Sequence, residues 1–264
     1  INKIENTLLV PLWVRYTDAI SKKPLFNDKA SINIVKYFEN NFNLINKSSK
    51  IVKEITFKSI ISREIIINNY LNNILINSKN YTIINLAAGL DCRYLMFEGR
   101  FKKWYDVDYE GTINLKKDIC LKIDNYELIS ADMFNLDWAK NIEKENIIVI
   151  CEGALMYYKK ERVVEYLNKL FSLFSNSHFI LEFIGKYGVN YLHPMFKKMN
   201  INLPYQSSLT KGDGIELLNA KLVKVECVLE NNLVNWFYLN KLVSLFGLKK
   251  ENILSSIYLF ENEN

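Results

Sequence analysis

The sequence predicts an α/β fold: a seven-stranded, mostly parallel sheet with helices on both faces, preceded by an N-terminal helical cap. Three observations carry that expectation. From Tyr81 onward, short β-branched runs alternate with amphipathic stretches, the pattern of strands joined by crossover helices. The run IIVI at 147–150 is apolar without interruption, as a strand buried on both faces must be. The chain holds 9 glycines and 4 prolines among 264 residues, so turns are few and helices long.

Residues 1–80 read as the helical cap. Leu8 to Ile20, Ser31 to Phe42 and Ile51 to Ile76 each carry apolar residues at three- and four-residue spacing. Lys22, Lys23, Pro24, Asn27 and Asp28 punctuate the first two. Residues 81–264 read as the sheet domain, with strands at Thr82 to Leu86, Trp104 to Val107, Glu127 to Ser130, Ile147 to Cys151 and Phe179 to Phe183. Among the helices between them is Lys160 to Phe174, apolar at Val163, Val164, Leu167, Leu170, Phe171 and Phe174. Leu222 to Leu229 and Ile253 to Phe260 are strand-like and flank a helical stretch, Leu233 to Phe246. They complete a seven-stranded sheet whose last strand can insert antiparallel. An aromatic, irregular insertion at about 186–210 follows the fifth strand. It falls at the carboxyl end of the strands, where open α/β sheets bind ligands, and is expected to form a lid.

Composition narrows the function. Net charge is +5, from 34 basic and 29 acidic residues spread along the chain, and without a basic cluster a nucleic-acid partner is not expected. Cys92, Cys120, Cys151 and Cys227 are far apart, with no C-x-x-C pair and only two histidines. Neither a zinc site nor a disulfide framework is expected, and a reducing, cytoplasmic setting fits. No apolar run reaches the roughly 18 residues of a membrane span.

The chemistry concentrates at strand ends. TIINLAAGLDCRYL, residues 82–95, is an apolar strand, then Ala87, Ala88 and Gly89, then Asp91 and Arg93 expected to open a helix. Small residues there let backbone N–H groups approach a ligand, and a helix amino end favours an anion. By itself the segment also suits a tight turn with no ligand. It lacks the three glycines of a dinucleotide fingerprint and the Gly-Lys-Ser/Thr of a P-loop, which weakens hydride-transfer and ATPase readings. WYDVDYE (104–110) ends the second strand with Asp106 and Asp108, one of them suited to a ribose diol. SADMFNLDW (130–138) places Asp132 and Met133 past the third strand, where a carboxylate can accept from an adenine amine. ICEGALMYY (150–158) places Glu152 and Gly153 past the fourth. Polar or small residues at four successive strand ends are the arrangement of an S-adenosylmethionine site.

These motifs resemble the leucine carboxyl methyltransferase family, Rossmann-like class I methyltransferases that include bacterial polyketide O-methyltransferases. The family's run asn-leu-gly-ala-gly-leu-asp-thr-arg looks like Asn85 to Arg93, with Ala87 replacing the first glycine and Cys92 the threonine. Further matches are Val107 and Asp108, Asp132, and Glu152, Gly153, Leu155 and Tyr157. Upstream, WVRYTDA and LFNDKA resemble the family's first helix and following aspartate, giving Arg15 and Asp28. The resemblance spans about residues 10–185. It implies S-adenosylmethionine as cofactor, with Arg63 and Gly89 at the methionine part, Asp108 at the ribose, Asp132 at the adenine, Ala87 and Met133 also against the cofactor, and Glu152 with Tyr157 at the floor of the reaction site. Arg93 is expected to point to solvent or to a neighbouring carboxylate.

A carboxylate acceptor, with a reference pKa of about 4, is already ionised at neutral pH. A hydroxyl acceptor needs a base. His178 precedes the fifth strand, at the edge away from the ligand, and His193, within the lid, either faces the acceptor or is an exposed loop histidine. The shortage of bases favours a methyl ester on a small-molecule or peptide carboxylate, with Arg15 either the anion's partner or a structural salt bridge, and Tyr157 as the second candidate catalytic residue. A phenol acceptor, a nucleic-acid acceptor and a non-catalytic cofactor-binding protein are the alternatives. A monomer or homodimer is expected.

Overall fold

The computed structural model describes residues 5–76 and 78–262. Residues 1–4, 77 and 263–264, which the two expected regions include, lie outside them. The cap comprises α1 (Leu9–Ala19), α2 (Lys29–Val35), α3 (Asn43–Asn46) and α4 (Lys50–Leu75). Asp28 caps α2 by accepting from Ala30 and Ser31 N–H, and Ser49 caps α4 by accepting from Val52 N–H. The single helix expected over 31–42 stops at Val35 and tightens into a 3₁₀ turn, Lys36–Asn41. Asparagine, abundant from 40 to 46, favours turns over helix interiors.

The strands are β1 (Thr82–Leu86), β2 (Lys103–Asp108), β3 (Tyr126–Ser130), β4 (Ile147–Cys151), β5 (Ser177–Ile184), β6 (Lys221–Cys227) and β7 (Ser255–Asn262). Their order is β3-β2-β1-β4-β5-β7-β6. The first five run parallel, and β7 is antiparallel to both neighbours. The sheet is thus seven-stranded and mostly parallel, as the sequence predicts. α5 (Glu110–Ile119) links β2 to β3, α6 (Lys160–Leu173) links β4 to β5, and α7 (Pro194–Lys198) and α8 (Phe237–Leu245) follow.

Strand alternation divides the core into two layers. Ile83, Ile148, Ile150, Ile180 and Ile257 join Ile61, Tyr70 and Leu71 of α4 on one face. Ile84, Val149, Phe179, Leu181 and Tyr258 join Val163, Leu167, Leu170 and Phe171 of α6 on the other. The cap helix α4 therefore shares a core with the sheet.

That packing overturns one expectation. No α-helix follows β1; residues Arg93–Phe97 form a single 3₁₀ turn. Tyr94 and Phe97 of that turn enter the apolar cluster that contains α4, which covers the face a full crossover helix would need. The insertion at 186–210 holds a 3₁₀ turn, Lys186–Gly188, and α7. It folds back on itself, Asn190 N–H donating to Tyr205 O at 2.8 Å and Tyr205 N–H to Tyr191 O at 3.1 Å. Gln206 N–H then donates to Met156 O at 2.7 Å, holding the insertion at the carboxyl end of β4. Among the described residues no helix is long and apolar enough to cross a membrane.

Candidate functional site

The loop after β1 turns through left-handed backbone at both Ala87 and Gly89, each with φ of 52°. At Gly89 a Cβ would also meet Leu8 Cδ2 at 3.1 Å. Ala87 adopts a conformation in which glycine carries no steric cost. The loop is held from β2: Gly89 N–H donates to Asp108 Oδ2 at 2.8 Å, and Tyr109 N–H to Oδ1 at 2.7 Å. Burial raises the Asp108 carboxyl above the usual range despite these two donors.

Asp106 is already committed. It is fully buried, paired with Lys116 at 2.6 Å, and accepts from Tyr126 Oη at 2.6 Å and Trp104 Nε1 at 2.9 Å. Of the two aspartates of WYDVDYE, Asp108 is the one that meets the loop. Asp108 pairs with Ser130 across β2 and β3, so Asp132 lies just beyond it. Asp132 accepts from Phe134 N–H at 3.0 Å, with Arg162 at 3.9 Å. Met133 is buried.

Beside the loop is a cavity of about 480 Å³, lined by Arg15, Arg63, Ala87, Gly89, Glu152 and Tyr157 among others. Its lining stops short of Asp108, Asp132 and Met133.

The cavity floor is ionic. Arg63, from α4, reaches Glu152 and Glu182, each at 3.3 Å. Glu182 also accepts from Gly153 N–H at 2.7 Å. Arg93 is bound by Glu64, by Glu152 at 2.9 Å and by Asp91 at 3.5 Å. Arg15 meets Asp91 at 3.3 Å and Asp28 at 3.5 Å, and donates to Leu90 O at 2.9 Å. Three guanidinium groups thus face five carboxylates. Burial, reinforced by the Glu152 charge, pushes Glu64 up to about 7. Burial also acts against the Glu152 carboxylate, but Arg93 and Arg63 outweigh it and hold that group at about 2.

Of the two directions expected for Arg93, toward solvent or toward a carboxylate, it takes the second. It is 1% exposed, turned inward by Glu64 and Glu152, which stand 29 and 59 positions away in the chain. Glu64 and Glu182 are further participants that sequence reasoning missed. Glu182 left one signal, a lone carboxylate inside the apolar strand HFILEFI.

The insertion forms the opposite wall with Tyr187, Tyr191, His193, Phe196 and Tyr205. Tyr157 lies with its ring centroid 5.4 Å from that of Tyr205. Burial raises its phenol well above the ordinary value, so it stays protonated. His193 is not an exposed loop histidine: it is partly buried and caps α7. Its Nδ1 accepts from Met195 N–H at 3.3 Å. In the neutral ring Nε2 then carries the proton and donates to Thr56 Oγ1 at 3.2 Å. Burial pushes the His193 pKa down to about 4. His178 lies at the amino end of β5 against Tyr81 Oη (3.2 Å) and Glu261 (3.4 Å), outside the cavity lining.

The strand order, the Gly89 loop and the cavity at the strand ends define the class: a Rossmann-like methyltransferase fold. Magnesium protoporphyrin IX methyltransferase from Synechocystis PCC 6803, solved with bound SAH, shares that fold. Its TM-score is 0.53 over 89% of this chain and 100% of that one, at 12% identity. The sequence is more specific. Residues 15–171, more than half of the chain, match the leucine carboxyl methyltransferase family, and the chain belongs to that family. It is 27% identical over 188 residues to the S-adenosyl-L-methionine-dependent methyltransferase dpfgK of Gibberella zeae, covering 66% of this chain and 62% of that protein. It is 24% identical over 169 residues to the tetracenomycin polyketide synthesis O-methyltransferase TcmP of Streptomyces glaucescens, covering 63% and 61%. The chain thus spans about three-fifths of the length of these relatives.

Proposed function

We propose that this chain binds S-adenosylmethionine across the Gly89 loop and the cavity floor, and transfers its methyl group to a small-molecule or peptide carboxylate to give a methyl ester. The observation that carries the reading is the acidic excess of this ionic network: Asp91, Glu152 and Glu182 line the cavity with Arg15 and Arg63, and Asp28, Glu64 and Arg93 stand behind them. A sulfonium amino acid brings two positive charges and one negative, so it complements that excess. Arg63 would take the carboxylate, and Glu152 and Glu182 the ammonium. Asp108 accepts from two backbone N–H groups and from the Thr112 side chain, which leaves part of its lone-pair capacity for ribose hydroxyls. Asp132 and Met133, at the neighbouring strand end, would hold the adenine. Ala87 is small enough for the backbone approach.

When bound, the cofactor supplies an electrophilic methyl group. The protein aligns the acceptor and strips its water. The aromatic wall does the stripping, and Tyr157, as a neutral phenol, can donate to the acceptor. Arg15 lines the cavity, donates to Asp91 and Leu90 O of the loop and is ion-paired with Asp28 of the cap. It would draw an anionic acceptor by charge and acts as a positioning residue. His193, neutral at pH 7 with its proton directed to Thr56, is a poor general base. That supports an acceptor already ionised. The four free thiols suit a reducing, cytoplasmic setting.

Incubation with methyl-labelled cofactor and host extract tests the proposal. An ester releases volatile labelled methanol in mild alkali. Alkali-stable product would refute the carboxylate acceptor, and absence of heat with submillimolar cofactor, on folded protein, would refute the cofactor site.

A further inference from the structure

Cys92 and Cys120 are 28 positions apart, yet their sulfur atoms lie 3.1 Å apart. Cys92 follows Asp91 in the loop beyond β1 and is 1% exposed. Cys120 ends α5 and is half-buried. Neither lines the cavity. Lys116, one turn earlier on α5, is fully buried, pairs with Asp106 at 2.6 Å and donates to Asp91 O at 2.6 Å. Tyr94 and Tyr126 stack beside them at 3.7 Å, and Tyr94 Oη donates to Leu121 O. The hydrogen bond between the thiols lowers the Cys120 pKa, with help from Lys116 and against burial. The same bond raises that of Cys92. A half-buried thiol whose ionisation is favoured, in contact with a buried thiol whose ionisation is disfavoured, is the arrangement of an attacking and a resolving cysteine.

We propose that Cys92 and Cys120 are a redox-active dithiol whose oxidant is a low-molecular-weight disulfide. The Cys120 thiolate attacks one sulfur of the external disulfide. That S–S bond breaks, one external thiolate leaves, and a mixed disulfide remains on Cys120. Cys92 gives its proton to the departing thiolate or to water and attacks the Cys120 sulfur, expelling the second external thiolate. Two protein thiols are oxidised to one disulfide, and one external disulfide is reduced to two thiols. Exposure sets the order, because Cys92 is closed to a bulky reagent. The sulfurs need approach by only about 1 Å to reach bonding distance, and Cys120 sits at the end of α5. The bond would tie α5 to the segment whose Asp91 holds Arg15 and Arg93, so oxidation reaches the cavity floor from behind. Sequence spacing argued against a disulfide framework; the fold supplies the partner.

The test uses the full chain, natively folded, with oxidised glutathione, followed by alkylation, intact-mass measurement and peptide mapping. The expected result is loss of two of the four thiols, no retained glutathione, a joined pair of peptides containing Cys92 and Cys120, and reversal by dithiothreitol. Cys92→Ser should hold one glutathione on Cys120, and Cys120→Ser should leave Cys92 unmodified. Retention of glutathione on wild-type Cys120 without the cross-link, earlier reaction at Cys151 or Cys227, or no thiol loss at all would overturn the proposal. None of these outcomes depends on methyl transfer, so failure of that reading is separate.

Discussion

Arg63→Leu should separate the role of Arg63 in the fold from the role proposed for it toward the ligand. The side chain is 12% exposed and holds two carboxylates that are 11% and 3% exposed. Removing one partner of a buried ion pair costs about 3–5 kcal/mol. Here Glu152 keeps Arg93 at 2.9 Å and Glu182 keeps Gly153 N–H at 2.7 Å. The loss should therefore fall at the lower end, about 3 kcal/mol, measured by denaturant unfolding. S-adenosylhomocysteine would lose the charged partner of its carboxylate as well, about 2–4 kcal/mol. That corresponds to roughly 30- to 700-fold in Kd by calorimetry. The double variant Arg63→Leu, Glu182→Gln removes the orphaned charge. It should recover most of the stability and none of the affinity. If it binds S-adenosylhomocysteine as tightly as wild type, Arg63 is not the carboxylate's partner. Arg93→Ala makes the contrast: with three carboxylate partners and no exposed surface, its loss should fall first on folding.

Ala87→Gly should tighten cofactor binding with stability changed by less than about 1 kcal/mol, since relief of the left-handed backbone is offset by glycine's greater unfolded-state entropy; weaker binding by calorimetry would contradict this. Glu64, pushed up to about 7 from 4.5, binds its proton more tightly in the folded chain. Its stabilisation is complete below about pH 4.5 and lost as pH rises through 7, and Glu64→Gln should remove that decline from the unfolding profile. A cationic ligand favours the ionised form, so S-adenosylmethionine should bind more tightly as pH rises through 7 in wild type but not in Glu64→Gln. His193→Ala should leave single-turnover methyl transfer within a few-fold, whereas loss of a true base removes about 10²- to 10⁴-fold.

Sequence alone determined what local chemistry determines. Strand runs such as IIVIC (147–151) announce burial through their own composition, and β1 to β5 fall where those runs lie. Ala87 to Gly89, Asp108 and Glu152 stand at strand ends, so a parallel sheet necessarily places them on one edge. The helical cap was legible from its three- and four-residue spacing, but its position was not. Only packing showed α4 filling the face where a helix after β1 was expected. The inward turn of Arg93, the pairing of Arg63 with Glu182 across 119 positions, the Cys92 and Cys120 contact and the capping role of His193 were decided by tertiary structure alone. Side-chain charge and hydrogen-bonding capacity are written in the residue, but its partner is set by chain topology. In a dehydrated interior the partner decides whether a charge stands as a salt bridge or takes up a proton.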